Sequence, residues 1–202
     1  MMTKREKALQ VVVGVVKNLA GQVLISLRGE HLHQGGLWEF PGGKLGADES
    51  VAQGLARELK EELDITVHTA TPLINIKHQY TDLAVQLYVF LVKNYCGEVK
   101  SCEGQPIFWV SPEDLPNYAF PAANLPIITA VRLPPYYAIL DDANPALLSI
   151  NLRKMLANGI RLIQLRLKSL SISQVASFIE LAYPLCKANN ALLLLNSGVV
   201  NA

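Results

Sequence analysis

Arg57, Glu58, Glu61 and Glu62 lie within six residues of one another. Carboxylates this close together repel one another unless a cation lies among them. Their oxygens are the ligands that hard divalent cations prefer in proteins, Mg²⁺ above all. The residue types and their spacing therefore indicate a metal site, and such a site is the first reason to expect an enzyme.

A helix must position these acids. Apolar residues recur at four-residue intervals in this stretch: Val51, Leu55, Leu59 and Leu63. This spacing predicts a helix over residues 49–63, with Asp48 or Ser50 as its N-cap. On that helix the three glutamates fall within one arc of roughly 100°. Glu58 and Glu62 border the apolar stripe, so we expect them at the rim of the core.

An ordinary amphipathic helix with a solvated acidic face would show the same spacing. The glycine-rich stretch Pro41–Gly43, read as a loop, favours the metal site because it leads directly into the helix. Gly54 lies on the acidic face, where it costs up to about 1 kcal/mol relative to Ala. We expect its missing side chain to leave clearance for metal ions or phosphate oxygens.

From Trp38 to Ile65 the chain resembles the Nudix box, in which Gly, five residues, Glu and seven residues precede R-E-U-x-E-E-x-G-U, with U a bulky aliphatic residue. Every fixed position from Gly43 onward matches except the last glycine, which is Asp64 here. Asp tolerates a left-handed helix C-cap less well than Gly and lies at the negative end of the helix dipole. This departure is expected to affect local stability and to leave metal binding intact.

Three further segments resemble the MutT branch of the Nudix family. The first, W-E-F-P-G-G-K, covers residues 38–44; E-G-Q-P begins at Glu103; and F-P-A-A-N ends at Asn124. Glu103 taken alone would be read as an acid in an ordinary surface loop. Together with the box, these segments extend the resemblance over roughly residues 8–132, and it implies a Nudix α/β/α sandwich with a mixed sheet.

The resemblance implies a site for Mg²⁺, with Mn²⁺ as the second choice, built from the carbonyl of Gly42 and the carboxylates of Glu58, Glu61, Glu62 and Glu103. Arg57 is then expected to orient the glutamates through charge-assisted hydrogen bonds. Four further residues would bind the nucleotide: Arg28, His33, Phe40 and Asn124. Among them, Asn124 would read the purine edge, while Phe40 is read equally well as a core residue.

The reaction implied by the resemblance is hydrolysis of a nucleoside triphosphate to the monophosphate and pyrophosphate, with Glu58 or Glu103 taking the proton from water. In the MutT branch the substrate is 8-oxo-dGTP, which is removed before a polymerase can incorporate it during DNA replication. Two alternatives remain open: a regulatory module that binds nucleotides without catalysis, and a hydrolase of pyrophosphates in the thiamine pathway.

Composition narrows the class of partner. The 202 residues carry a formal net charge of +1 and half are hydrophobic, which suits one or two domains with a substantial core. The chain has no long basic run, so a free nucleotide fits better than a nucleic acid strand. No apolar run is long enough to cross a membrane. Three cysteines without a C-x-x-C spacing indicate reduced thiols, used for packing, in a cytoplasmic protein.

The remaining pattern of the first 132 residues predicts an α+β fold, because hairpins interrupt the alternation of strands and helices. Strands are predicted at residues 8–16, 22–28, 73–78, 83–93 and 107–110, followed by a capped helical turn at 111–115. Residues 133–135, Leu-Pro-Pro, are expected to form a linker, since consecutive prolines cannot continue a helix. The first domain is therefore assigned to residues 1–132.

Residues 136–202 show a different pattern. Strands are predicted at 136–140, 162–167 and 191–195, with helices at 145–158 and 173–189 between them. This order indicates a parallel βαβαβ unit of TIM-barrel type.

The same segment resembles the opening of thiamine phosphate synthase, on the residues Gln164-Leu165-Arg166-Leu167-Lys168; at Asn196-Ser197 that family prefers Asn-Asp. A closed barrel needs about 200 or more residues, and about 67 follow the linker. We therefore expect a fragment that makes no thiamine phosphate. Its exposed strands should pack on the hydrolase domain or on a second copy of the chain in a homodimer.

Overall fold

The computed structural model describes residues 8–196, so the comparison made at Ser197 lies outside the described residues. The chain divides into two compact units, Met1–Arg132 and Leu133–Ala202. In the part of the chain that the structure describes, no helix combines the length and apolar character needed to cross a bilayer.

The N-terminal unit is built from strands and helices in the order β1 (Leu9–Val16), β2 (Val23–Leu27), β3 (Trp38–Glu39), β4 (Gly42–Lys44), α1 (Val51–Leu63), β5 (Thr66–Gln79), β6 (Ala84–Cys96), β7 (Ile107–Val110) and α2 (Leu125–Arg132). One mixed sheet has the strand order β4-β1-β6-β5, with β1 parallel to β6 and the other pairs antiparallel. A smaller antiparallel sheet has the order β3-β2-β7. The predicted mixed-sheet α/β architecture is confirmed.

Helix α1 packs on one face of the mixed sheet, because its apolar stripe is buried against strand side chains that include Val12 and Val92. Its N-cap is Ser50, one of the two predicted candidates, and Gln53 completes a capping box with it. On the opposite face, Ile127 and Ile128 of α2 join a second cluster of buried residues with strands β1 and β6. The sheet therefore has a core on each face, and α1 holds its acidic side at the edge of one of them.

Several local expectations were wrong in extent. Strands β5 and β6 are longer than predicted, because the added residues at their ends are exposed or half-buried and form no apolar run. The glycine-rich stretch, expected as a loop, forms strand β4 against β1. The space beside Gly54 holds side chains: an added Cβ there would lie 2.8 Å from Leu45 and 3.0 Å from Glu49. The expected clearance for a ligand at this glycine is therefore wrong.

The C-terminal unit follows the predicted order of strands and helices: β8 (Tyr137–Asp141), α3 (Leu148–Ala157), β9 (Leu162–Arg166), α4 (Ile172–Ala188) and β10 (Leu192–Leu195). Its three strands form a parallel sheet in the order β10-β9-β8. Both helices contribute to a core with one face of this sheet. The predicted order of strands and helices and the parallel pairing are confirmed. The TIM-barrel type of the unit and the resemblance to thiamine phosphate synthase stay predictions.

The three cysteines are free thiols. Cys186 is buried in the C-terminal core, as expected for a packing residue. Cys96 and Cys102 are exposed, so the expectation that they pack in the core was wrong. Cys96 is the last residue of β6 and Cys102 lies in the loop that follows it. At such positions the residue type alone does not predict burial.

Candidate active site

Arg57 lies at the centre of the acidic face of α1. Its Nη1 donates to Glu58 Oε1 at 2.9 Å and to Glu61 Oε2 at 3.0 Å. On its other side, Nε and Nη2 form a two-point contact with Glu49 at 3.1 and 2.6 Å, and Nη2 also reaches the Lys44 carbonyl at 3.1 Å. One guanidinium thus holds three carboxylates, since its five donors form a rigid fork.

Strand β4 passes close to the same face of α1. The Gly42 amide donates to Glu62 Oε2 at 3.1 Å. A Cβ at Gly43 would lie 2.3 Å from the Glu58 carboxylate, so only glycine leaves room for this side chain. These contacts place Glu58 and Glu62 between the helix and the strand, partly buried as the helical pattern predicts, while the Glu61 side chain is 55% exposed.

Glu103 belongs to the connection between β6 and β7. The amide of Cys102, its neighbour in the chain, donates to the Glu62 carbonyl at 2.9 Å. The charge of Glu103 also acts on two partly buried acids, Glu39 and Glu62. The structure therefore brings this distant loop to the C-terminal half of α1.

Burial of several acids together raises their proton affinity. Burial raises the pKa of Glu62 from 4.5 to about 8, against the opposing hydrogen bond from Gly42, and three neighbouring charges raise it further: Glu39, Glu103 and Glu58. Burial also raises the pKa of Glu58, although the hydrogen bond from Arg57 opposes this. This concentration of negative charge favours the binding of a cation.

Two acids of this region were missed at the sequence level. Glu39 pairs with Arg28, and burial raises its pKa to about 6 while Arg28 acts to lower it. Glu49 lies opposite Arg57, whose hydrogen bond lowers the Glu49 pKa to about 2. Two features of the sequence could have identified them. Glu39 lies between two aromatic residues, Trp38 and Phe40, and Glu49 occupies a fixed position of the Nudix box.

The predicted nucleotide contacts divide into two groups. Arg28 joins the acids through Glu39, and its Nε donates to the His33 carbonyl at 3.1 Å. Phe40 is 2% exposed and stacks on Phe120 with ring centroids 5.4 Å apart. The core reading of Phe40 therefore describes its position in this structure.

His33 and Asn124 are connected to the turn between β5 and β6. The Nε2 of His33 lies 3.2 Å from Asp82 Oδ1, and its ring packs edge-on against Tyr80. The Tyr80 hydroxyl accepts a hydrogen bond at 3.2 Å from the amide of Ala123, which precedes Asn124. Tyr80 thus contacts both His33 and the residue before Asn124, and these two predicted nucleotide contacts, His33 and Asn124, are 91 positions apart in the chain.

The donor set of this region consists of oxygen ligands, which fits a hard divalent cation. Within residues 8–196, no group of three or more His, Cys, Asp or Glu side chains has the arrangement of a metal site. The reason is visible in the contacts: Glu58 and Glu61 are turned toward Arg57, and Glu62 toward Gly42. The chemistry of the residues fits a metal ion, while their side chains are held by hydrogen bonds of the protein itself.

Open grooves occur elsewhere in the described residues. One of about 450 Å³ lies at an end of the mixed sheet, lined by polar residues that include Lys77 and Gln86. Another of about 320 Å³ lies beside β8 and α3 in the C-terminal unit. Neither groove contains a predicted site residue.

The Nudix domain family matches residues 12–130, more than half of the chain. The chain is 34% identical over 126 residues to the 8-oxo-dGTP diphosphatase of Escherichia coli K12, covering 62% of this chain and 98% of that protein. It is 32% identical over 140 residues to the CTP pyrophosphohydrolase of the same organism, covering 69% and 98%. Nudix hydrolases generally use divalent metal ions.

Solved structures give the same assignment. One from work on MutT of Aliivibrio salmonicida and Vibrio cholerae is 37% identical, with a TM-score of 0.55 and coverage of 62% of this chain and 97% of that one. The E. coli ORF135 protein is 33% identical, with a TM-score of 0.55 and coverage of 61% and 88%. The N-terminal unit brings together the acids of α1, the glycines of β4 and the loop that carries Glu103. Together with these similarities, this shows that the chain belongs to the Nudix family and is a Nudix hydrolase.

Proposed function

We propose that the N-terminal unit is a Mg²⁺-dependent diphosphohydrolase that converts 8-oxo-dGTP to 8-oxo-dGMP and pyrophosphate, and so removes a damaged nucleotide before DNA replication uses it. The observation that carries the proposal is the cluster of acids on α1 around Arg57, next to the Glu103 loop. The similarity to proteins described as 8-oxo-dGTP diphosphatases supports the same substrate.

The metal ion would be held by the Gly42 carbonyl and the carboxylates of Glu58, Glu61, Glu62 and Glu103. When bound, a divalent ion acidifies a water ligand and neutralises charge on phosphoryl oxygens. Arg57 keeps the helix carboxylates oriented, because its hydrogen bonds fix Glu58 and Glu61 relative to each other. Glu58 or Glu103 would take the proton from the attacking water; Glu58 belongs to the cluster itself, and Glu103 follows Cys102, whose amide contacts the Glu62 carbonyl.

Recognition of the base is assigned to the second group of residues. Asn124 reads the purine edge, supported by the hydrogen bond that joins its neighbour Ala123 to Tyr80. Arg28 and His33 contact the nucleotide from the connection between β2 and β3. Phe40, stacked beneath Phe120, supports that surface from the core.

The test is a comparison of kcat/KM for 8-oxo-dGTP, dGTP, CTP and thiamine pyrophosphate, each with Mg²⁺ and with Mn²⁺, with pyrophosphate or phosphate release as the readout. CTP belongs in the panel because a relative of similar identity is described as a CTP pyrophosphohydrolase. We expect the highest value for 8-oxo-dGTP. A preference for CTP would refute the base assignment, and a preference for thiamine pyrophosphate would favour the thiamine-pathway alternative.

A regulatory module that only binds nucleotides predicts binding without turnover. The acids that chelation would need are all present in this chain, which argues against such a module. Glu58→Gln separates the two hypotheses, because it should abolish hydrolysis in an enzyme and leave nucleotide binding by a sensor unchanged. The matched control is Glu30→Gln, an exposed acid in the connection between β2 and β3.

We also propose that two copies of the chain associate through the open face of the C-terminal sheet. Four exposed apolar side chains share that face: Tyr137, Ile139, Leu192 and Leu194. Asp141 and Arg166 are neighbours on adjacent strands and share this face. A two-fold axis between them would place Asp141 of one copy opposite Arg166 of the other. Sedimentation of Ile139→Asp should show monomers, and a monomeric parent chain would refute the association.

A further inference from the structure

The chain departs from the Nudix box at Asp64, and the structure shows what this side chain contacts. Asp64 is the C-cap of α1 in the left-handed conformation, with φ 54° and ψ 29°. This conformation favours glycine, and an acid is also disfavoured at the negative end of a helix dipole. Its carboxylate, however, forms ion pairs with two lysines, Lys60 on the helix and Lys100 at 2.6 Å.

Lys100 lies in the connection between β6 and β7, the same loop that carries Glu103. Two backbone hydrogen bonds join this loop to the end of α1: Lys100 N to Leu63 O at 3.3 Å, and Cys102 N to Glu62 O at 2.9 Å. Carbonyls in the last turn of a helix lack partners within the helix, so the loop supplies them. The Asp64 side chain adds a third connection between the same two segments.

The start of the loop is also close to Asp64. Gly97 has φ +102°, and a Cβ there would lie 2.8 Å from the Asp64 carbonyl oxygen. The loop therefore passes against the helix C-terminus at Gly97, at Lys100 and at Cys102. Glu103 follows directly after the last of these contacts.

We propose that Asp64 is a positioning residue which, through Lys100, holds the β6–β7 loop so that Glu103 stays beside Glu62. Glycine at this position would adopt the left-handed conformation with less strain, but it has no side chain to contact the loop. Asp64 therefore costs some local stability and in return connects the helix to the loop. This inference rests on the proposed function, which assigns Glu103 to the metal site.

The experiment compares Lys100→Met with Lys60→Met. Both changes remove one ion pair of Asp64, but only the first removes the link to the loop, because Lys60 belongs to α1 itself. We expect Lys100→Met to lower kcat by about twofold to fivefold, the range of an exposed ion pair, with little change in KM. Lys60→Met should keep the parental kcat, and Lys100→Arg should restore it because the charge is retained.

A second readout does not depend on catalysis. Hydrogen exchange of the Cys102 amide should be faster in Lys100→Met and in Asp64→Gly, and close to the parent in Lys60→Met. Asp64→Gly should also keep or raise the melting temperature, since glycine suits the left-handed cap, while its kcat falls. A positioning role thus moves stability and turnover in opposite directions, which a purely structural role would not do.

Two results would overturn the inference alone: parental kcat and parental exchange in Lys100→Met, or equal losses in Lys60→Met and Lys100→Met. The proposed function is tested separately by Glu103→Gln. A large loss there combined with an unchanged Lys100→Met refutes only the positioning role. Full turnover in Glu103→Gln would refute the assignment of Glu103, and the positioning role with it.

Discussion

Replacing Glu62 by Gln should stabilise the metal-free protein while it abolishes hydrolysis. The folded pKa of Glu62 is about 8, and its ordinary value is 4.5. Because the folded state holds a proton that the unfolded state releases, stability is highest below pH 4.5 and is lost as the pH rises toward 8. At about 1.4 kcal/mol per pH unit, the cost at pH 7 is about 3 kcal/mol.

Gln removes this cost and still offers an oxygen to the Gly42 amide, which lies 3.1 Å from the carboxylate. The free energy of unfolding of Glu62→Gln should therefore exceed that of the parent by an amount that is near zero at pH 4.5 and grows to about 3 kcal/mol at pH 7. Divalent ions should then stabilise the parent strongly at pH 8 and the variant weakly, since a ligand stabilises the state that binds it.

The assay is urea unfolding in a chelator at pH 5, 6, 7 and 8, followed by tryptophan fluorescence. The chain has two tryptophans, Trp38 and Trp109, and both lie in the N-terminal unit, so the signal reports that unit alone. Glu61→Gln is the matched control, because it removes an equal charge from a side chain that is 55% exposed. Parallel pH profiles for the parent and Glu62→Gln would refute the reasoning.

Three further predictions test other contacts. Gly43→Ala should lower turnover by roughly 100-fold with unchanged circular dichroism, because the new Cβ displaces the Glu58 carboxylate; near-parental turnover would contradict the assigned geometry. Arg57→Lys should lower kcat by about 10-fold to 100-fold, since Lys lacks the fork that orients three acids; parental rates would show that these contacts are dispensable. Asp142→Asn should destabilise the C-terminal unit above pH 4 and leave tryptophan-detected unfolding unchanged. The hydrogen bond from the Ser169 amide lowers the pKa of Asp142, so the stability that this carboxylate supplies is lost only as the pH falls below 3.8. Equal circular dichroism melts of the parent and the variant would contradict this prediction.

The sequence was most informative where local rules act alone. Helix α1 ends at Leu63 as predicted, and its start at Val51 follows from Ser50, whose side chain can reach the Gln53 amide. The spacing of the glutamates likewise placed Glu58 and Glu62 at the rim of the core. These features depend on residues that are neighbours along one helix. The repeat of apolar residues and the N-cap residue are therefore enough to predict them.

Features that depend on packing between distant segments could not be read in this way. The role of Gly54 was missed because the side chains that fill its space, Leu45 and Glu49, lie in the preceding loop. The pairing of Glu39 with Arg28 arises from the register of β2 against β3, which no single segment encodes. Asp64 is read from the sequence only as an unfavourable helix C-cap, because its ion-pair partner Lys100 lies 36 positions further along the chain.

The register of the mixed sheet also has a consequence for synthesis of the chain. Leu9 of β1 pairs in parallel with Val85 of β6, so β1 must wait for a neighbour that is made more than 70 residues later. At 5–20 residues per second this delay is roughly 4 to 15 s. During that interval β1 can pair with β4 along one edge, but its other edge has no strand beside it. The centre of the mixed sheet can therefore form only after β6 has been synthesised.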